Sequence, residues 1–182
     1  MSFLDLARKR QSDRGFLTQS VEGAQIERCL EAARLAPSAC NSQPWFFVVV
    51  DEPVLRTAMA AELKDFAMNR FAPTASVLVA VVAEKPALLP RLGGLLKDKP
   101  YYLLDIGMAV EHFCLQAAEE GLGSCIIGWF NEAGVKRLLG IPKGKRVPLV
   151  IALGYPADPA TRLKTRREPD AIRSYNGYPG PR

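Results

Sequence analysis

Apolar residues recur along this chain in two rhythms, and the switches between them predict its elements. Ile26, Leu30 and Ala33 stand at helical spacing in a run from about residue 22 to residue 35, which Pro37 stops. Turn formers and small polar residues follow, Pro37-Ser38-Ala39-Cys40-Asn41-Ser42-Gln43-Pro44, and this loop feeds the strand-like Trp45–Val50. Asp51-Glu52-Pro53 breaks the strand, and Pro53 suits a first helical position. Val54, Leu55, Ala58, Met59 and Leu63 then mark a second amphipathic helix that ends before Pro73, and Val77–Ala83 reads as a buried strand.

Leu-rich pieces between Pro86 and Pro100, broken by Pro90 and Gly93-Gly94, keep no steady rhythm and form an excursion. The longest helix is expected over 101–120. It is apolar around most of its circumference (Leu104, Met108, Val110, Phe113, Cys114, Leu115, Ala117, Ala118), so it is either buried on all sides within one subunit or shared with a second. Gly121 and Gly123 stop it, a short strand follows at 124–128, Asn131 can cap another helix that Gly140 and Pro142 close, and 147–153 is the last strand. Beyond Gly154 come five prolines and no periodic core face, so this stretch is disordered alone or draped over another surface. The reading is an α+β chain of three layers, an α-β-α sandwich with a helix-covered sheet. It makes one domain over 1–182, with 155–182 as an extended C-terminal tail.

With 48% apolar residues, a chain of 182 residues can bury one sizeable core. Its apolar runs, 46–50 and 77–83, fall far short of the roughly 20 residues a membrane helix needs, and the charged N-terminus opens no signal-peptide core. The expectation is a cytoplasmic protein with no membrane partner. Cys29, Cys40, Cys114 and Cys125 are too scattered for a metal or redox motif and are read as reduced and mostly packed. His112 is the only histidine and sits inside the long helix, where a partly buried structural role outweighs a catalytic one. No dinucleotide or triphosphate loop occurs; Gly121-Leu122-Gly123 follows a helix and precedes a strand, the reverse of the dinucleotide order. Trp45 reads as a core aromatic.

The net charge of +5 changes the picture through its placement. Basic residues gather at Arg8, Lys9, Arg10 and Arg14 and again at Arg162, Lys164, Arg166 and Arg167, near the two chain ends. Two such clusters suit one phosphate grip; two solvated tails are the alternative.

In chain order, Arg10-Gln11-Ser12-Asp13-Arg14, Ala32-Ala33-Arg34-Leu35-Ala36-Pro37-Ser38 running into Asn41-Ser42-Gln43-Pro44-Trp45, Asp105-Ile106-Gly107, Gly121-Leu122-Gly123-Ser124-Cys125-Ile126-Ile127-Gly128, and Ile151-Ala152-Leu153-Gly154-Tyr155-Pro156 before Lys164-Thr165-Arg166 resemble the nitroreductase family over nearly the whole chain. The resemblance implies a mixed sheet covered by helices and an FMN cofactor. It carries FMN contacts to Arg10, Ser12 and Arg14, with Gln11 in the same motif where the family often has arginine or histidine, and phosphate contacts to Lys164 and Arg166. Ile127 and Gly128 would offer backbone near the reactive ring nitrogen, Asn69 the ring edge, and Pro37, Ser38, Ala39 and Asn41 would reach the flavin of the other subunit of a homodimer.

The function implied is ping-pong hydride transfer from NAD(P)H through FMN to a small acceptor such as a nitroaromatic or quinone, with no catalytic side chain. A reductive or flavin-consuming reaction on the same fold is the neighbouring reading. The reading from another class is a basic nucleic-acid-binding module, supported by the charge and by Trp45, Trp129 and a few tyrosines, but with no recognition motif.

Overall fold

A computed structural model describes residues 1–64, 68–85 and 99–178; most of the expected excursion at 86–100 therefore lies outside the described residues. The first element is a helix the hydrophobic rhythm does not signal: α1 spans Phe3–Lys9 and buries no residue. Its sequence mark is the capping box Ser2-x-x-Asp5, in which Ser2 Oγ accepts from the Asp5 amide and the Asp5 carboxylate accepts from the Ser2 amide. Every other expected element is present. α2 is Gly23–Arg34, β1 Trp45–Val50, α3 Pro53–Leu63, β2 Val77–Ala83, α4 Tyr101–Glu119, β3 Gly123–Ile127, α5 Glu132–Leu138 and β4 Arg146–Gly154.

Caps and stops act where the sequence places them. Glu52 accepts from the amides of Val54 and Leu55 (2.9 and 2.6 Å), leaving Pro53 as the first helical residue of α3. Asn131 Oδ1 accepts from the Gly134 amide at 3.1 Å. Gly121 ends α4 with φ +79°, a backbone state that L side chains resist.

The sheet order is β1-β2-β4-β3, so the last strand in sequence is inserted beside the second. All three pairings are antiparallel, and among the described residues the parallel component of the expected mixed sheet is a single bridge between Ser12 and Ser124 at the β3 edge. Successive residues of β2 point to opposite faces. Leu78, Ala80 and Val82 join Met59, Leu63 and Val135 beneath α3 and α5. Val77, Val79 and Val81 join Ile26, Cys29, Ile106 and Phe113 beneath α2 and α4. These two cores give the three layers; burying one side chain the size of Phe113 contributes about 1.5–3 kcal/mol. Trp45 packs against the second core, as its core assignment requires.

The apolar circumference of α4 is only partly covered. Val110, Phe113, Cys114, Ala117 and Ala118 are buried, while Leu104 is 59% and Met108 40% exposed. After β4 the chain runs irregularly to residue 178, with one turn of 3-10 helix at Pro169–Ala171 and with Leu163 fully exposed.

Candidate functional site

The two basic chain ends meet. Arg10 caps the C-terminus of α1, and Lys164 reaches it from the tail: Nζ donates to the Ala7 carbonyl at 2.6 Å and to the Arg10 carbonyl. Two of the three ammonium protons thus serve the negative end of a helix, a structural task beside any ligand task. Burial first, and then the charges of Arg10 and Arg166, hold the Lys164 ammonium below its ordinary pKa. Glu111 on α4 offsets this positive charge, with its Oε1 3.4 Å from Arg10 Nε. The geometry does not make a hydrogen bond, and the buried Arg10 Nε has this ion pair but no hydrogen-bond acceptor. Buried N–H groups in native proteins are nearly always satisfied. An anion would satisfy this one.

Ser12 and Asp13 run alongside β3, where the Asp13 amide donates to the Ser124 carbonyl at 2.9 Å. Arg14 is exposed at the end of this segment. Asp13 is buried, and burial pushes its carboxyl up, against the lowering effects of Gln11 and Arg162. It also faces Gly123 so closely that an added Cβ there would lie 2.8 Å from Asp13 Oδ2 and 3.0 Å from Asp13 Cβ. Gly123→Ala is therefore expected to displace Asp13 and the motif around it, lowering stability by about 1–3 kcal/mol, seen as a lower thermal midpoint and a smaller cofactor affinity.

At the other end of β3 the Ile127 side chain is packed into the core, so only its backbone can face a ligand. Gly128 follows with a Cβ direction that meets nothing within 4 Å. Asn69 adopts φ +55°, and its Nδ2 donates to the carbonyls of Leu63 and Trp129 at 3.0 and 2.8 Å. It thereby holds the chain just beyond Gly128.

The loop 37–44 is strained: Cys40, Asn41 and Gln43 have φ of +51°, +51° and +44°. Non-glycine residues in this region concentrate at functional sites. Ser38 Oγ accepts from the Gln43 amide at 2.9 Å, and Gln43 Nε2 donates to Asn41 Oδ1 at 3.0 Å. Pro37 is exposed and Ala39 half-buried. Ala39 donates its amide to Asp105 Oδ1 at 3.1 Å; Asp105 is 3% exposed, and its Oδ2 has no partner. Asp105, which the sequence marks within Asp105-Ile106-Gly107 but gives no role, thus holds the loop from α4. No hydrogen bond or ion pair among the described residues links this loop to Arg10, Lys164 or Gly128 of the same chain.

Among the described residues no group of His, Cys, Asp and Glu could hold a metal, and no helix is long and apolar enough to cross a membrane. The four cysteines are free; burial pushes the Cys29 thiol up to about 12 and Cys114 to about 11. The buried Cys29, Cys114 and Cys125 thiols are packed, whereas Cys40, in the strained loop, is exposed.

The profile of the Nitroreductase family matches residues 7–155, and the chain belongs to that family. It is 35% identical over 156 residues to a putative NADH dehydrogenase/NAD(P)H nitroreductase of Archaeoglobus fulgidus, covering 82% of each chain. Among solved structures it resembles a nitroreductase family protein from Clostridium novyi NT, at 30% identity and a TM-score of 0.76, covering 86% of this chain and 87% of the other. It also shares the fold of an FMN-dependent nitroreductase from Clostridium difficile R20291, at 23% identity and a TM-score of 0.78, covering 97% of this chain and 100% of the other.

Proposed function

We propose that the chain binds FMN and works as an NAD(P)H oxidoreductase on a small acceptor such as a nitroaromatic or quinone, by a ping-pong mechanism. The observation that carries this reading is the cluster of Arg10, Lys164 and Arg166, in which the buried Arg10 Nε makes no hydrogen bond and has only the Glu111 carboxylate, 3.4 Å away, against its charge. It fits a phosphate dianion, whose charge-assisted hydrogen bonds contribute about 1.5–3 kcal/mol each. Arg10, Lys164 and Arg166 would hold the phosphate, with Ser12 and Arg14 further along the cofactor. Ile127 and Gly128 would present backbone to the ring, and Asn69 would keep that backbone in place.

When bound, FMN supplies two-electron chemistry, taking hydride from NAD(P)H and passing it on. The protein's share is binding and access. Gly128 leaves one side of its backbone open, and the exposed Trp129 beside it offers an aromatic surface at the same edge. No side-chain acid or base is required, which agrees with the half-buried place of His112 on α4.

The reading includes a homodimer with FMN sites between subunits. It is supported by the exposed apolar residues of α4, by a tail with fully exposed apolar residues, and by a strained loop 37–44 that, among the described residues, makes no hydrogen bond or ion pair to Arg10 or Lys164 of its own chain. Pro37, Ser38, Ala39 and Asn41 would then complete the partner's site. Four free cysteines, three of them buried, suit the cytoplasm.

Purified protein is expected to be yellow, to release FMN on denaturation, to oxidise NADH or NADPH when a quinone is supplied, and to sediment as a dimer at low micromolar concentration. Colourless protein that gains no flavin on titration, and instead binds nucleic acid with a steep salt dependence, would replace this reading with the nucleic-acid one.

A further inference from the structure

The side chain of Gln11 is fully engaged, and with the tail. Its Nε2 donates to Asp13 Oδ1 at 2.9 Å and to the Ala160 carbonyl at 3.0 Å. Its Oε1 accepts from the Arg162 amide at 3.0 Å and from Arg162 Nε at 3.3 Å. A primary amide has two donor hydrogens and one oxygen with two lone pairs, so nothing is left over for a ligand. Arg162 returns the contact: its Nη2 donates to the Ser12 carbonyl at 2.5 Å and lies 3.8 Å from Asp13 Oδ1.

We propose that Gln11 is the positioning residue of the cofactor grip: by fastening Ala160 and Arg162 to the N-terminal motif, it sets Lys164 and Arg166 against Arg10. This rests on the FMN reading above but assigns Gln11 no contact with FMN. Two residues of chain span at most about 7 Å, so fixing Arg162 confines where the Lys164 ammonium can go. The Lys164 ammonium is itself held by the carbonyls of Ala7 and Arg10, but the backbone that carries it has few other ties. Upstream, Ala157 donates its amide to the Gly15 carbonyl at 3.0 Å; between this anchor and Lys164 the chain is exposed, and Leu163 is wholly so. A binding site whose cations are placed beforehand loses less freedom on closing over an anion, and the benefit is read as slower release. Asp13 belongs to the same device, because it is buried between Gln11 and Gly123 and anchors one donor of the amide.

The test uses full-length protein stripped of flavin, with Gln11→Leu, Arg162→Leu and the double variant. FMN affinity and release are followed by fluorescence, and tryptic cleavage after Lys164 and Arg166 is followed by mass spectrometry without flavin. Gln11→Leu is expected to weaken FMN about tenfold, the size of one or two ordinary hydrogen bonds, mainly through faster release, and to speed cleavage of the tail several-fold. Arg162→Leu, at an exposed position, opens the same fastening from the other side and should reproduce both effects. The double variant should be no weaker than the weaker single, since one device is lost only once. Wild-type affinity and wild-type cleavage in Gln11→Leu would overturn the proposal. So would weaker FMN binding with unchanged cleavage and effects that multiply with Arg162→Leu, which is the behaviour of a direct ligand. If wild-type protein took up no FMN, the functional reading would fail separately, while the cleavage comparison would still decide whether Gln11 fixes the tail.

Discussion

Alanine at both Lys164 and Arg166 is expected to leave the purified protein almost free of FMN. If each cation contributes about 1.5–3 kcal/mol to holding the phosphate, the pair accounts for about two to four orders of magnitude in affinity. Equilibrium titration and flavin content on purification would measure this directly. The Lys164 ammonium also serves the carbonyls of Ala7 and Arg10 at the end of α1, so part of the loss could come from an unfastened helix. Lys164→Gln separates the two, because an amide can still donate to those carbonyls but carries no charge. The expected result is near-normal thermal stability with an FMN affinity at least tenfold below wild type, an effect that also shrinks with added salt. Wild-type FMN occupancy in the double alanine variant would remove both residues from the site.

Gly128→Val is the second large effect, and its interest lies in what it leaves alone. Gly128 has no positive φ and no neighbour within 4 Å of its Cβ direction, so neither backbone strain nor a clash opposes a side chain there. The flavin-free variant should therefore melt within about 1 kcal/mol of wild type, Val being favourable in extended backbone. FMN binding or its reduction by NAD(P)H should nonetheless fall at least tenfold, because the added methyls would occupy the space against which the ring is proposed to lie. Gly128→Ala should fall between the two. Stopped-flow reduction alongside FMN titration distinguishes a displaced cofactor from a blocked approach, and unchanged values for both would exclude Gly128 from the site.

The sequence marked helix stops and caps clearly because their causes are local: Gly121 and Gly140 take positive φ, and Asn131 caps α5. It missed α1, whose seven residues bury nothing and whose C-terminal carbonyls are met by a lysine more than 150 positions away. Strand order was beyond reach for the same reason, since nothing within β4 says that it will lie between β2 and β3. The cationic grip was legible as charge concentrated at both chain ends. The fastening of Gln11 to Arg162 was not, because two polar residues carry no sign of each other until the fold brings them together. Asp105 was likewise visible as a residue but not as the acceptor for the Ala39 amide in a strained loop.

The place of β2 in the sheet has a consequence for the chain while it is being made. Val77–Ala83 pairs with β1 on one side, but its other neighbour, β4, starts about sixty residues later. At about 5–20 residues per second on the ribosome, the valine-rich flank of β2 stays unpaired for about 3–12 seconds. During that interval it offers a bare, apolar ladder to any other nascent chain. Crowded polysomes, fast induction and high temperature should thus favour insoluble product, and slowed translation or a chaperone that shields extended apolar segments should raise the yield of folded protein without any change in the finished molecule.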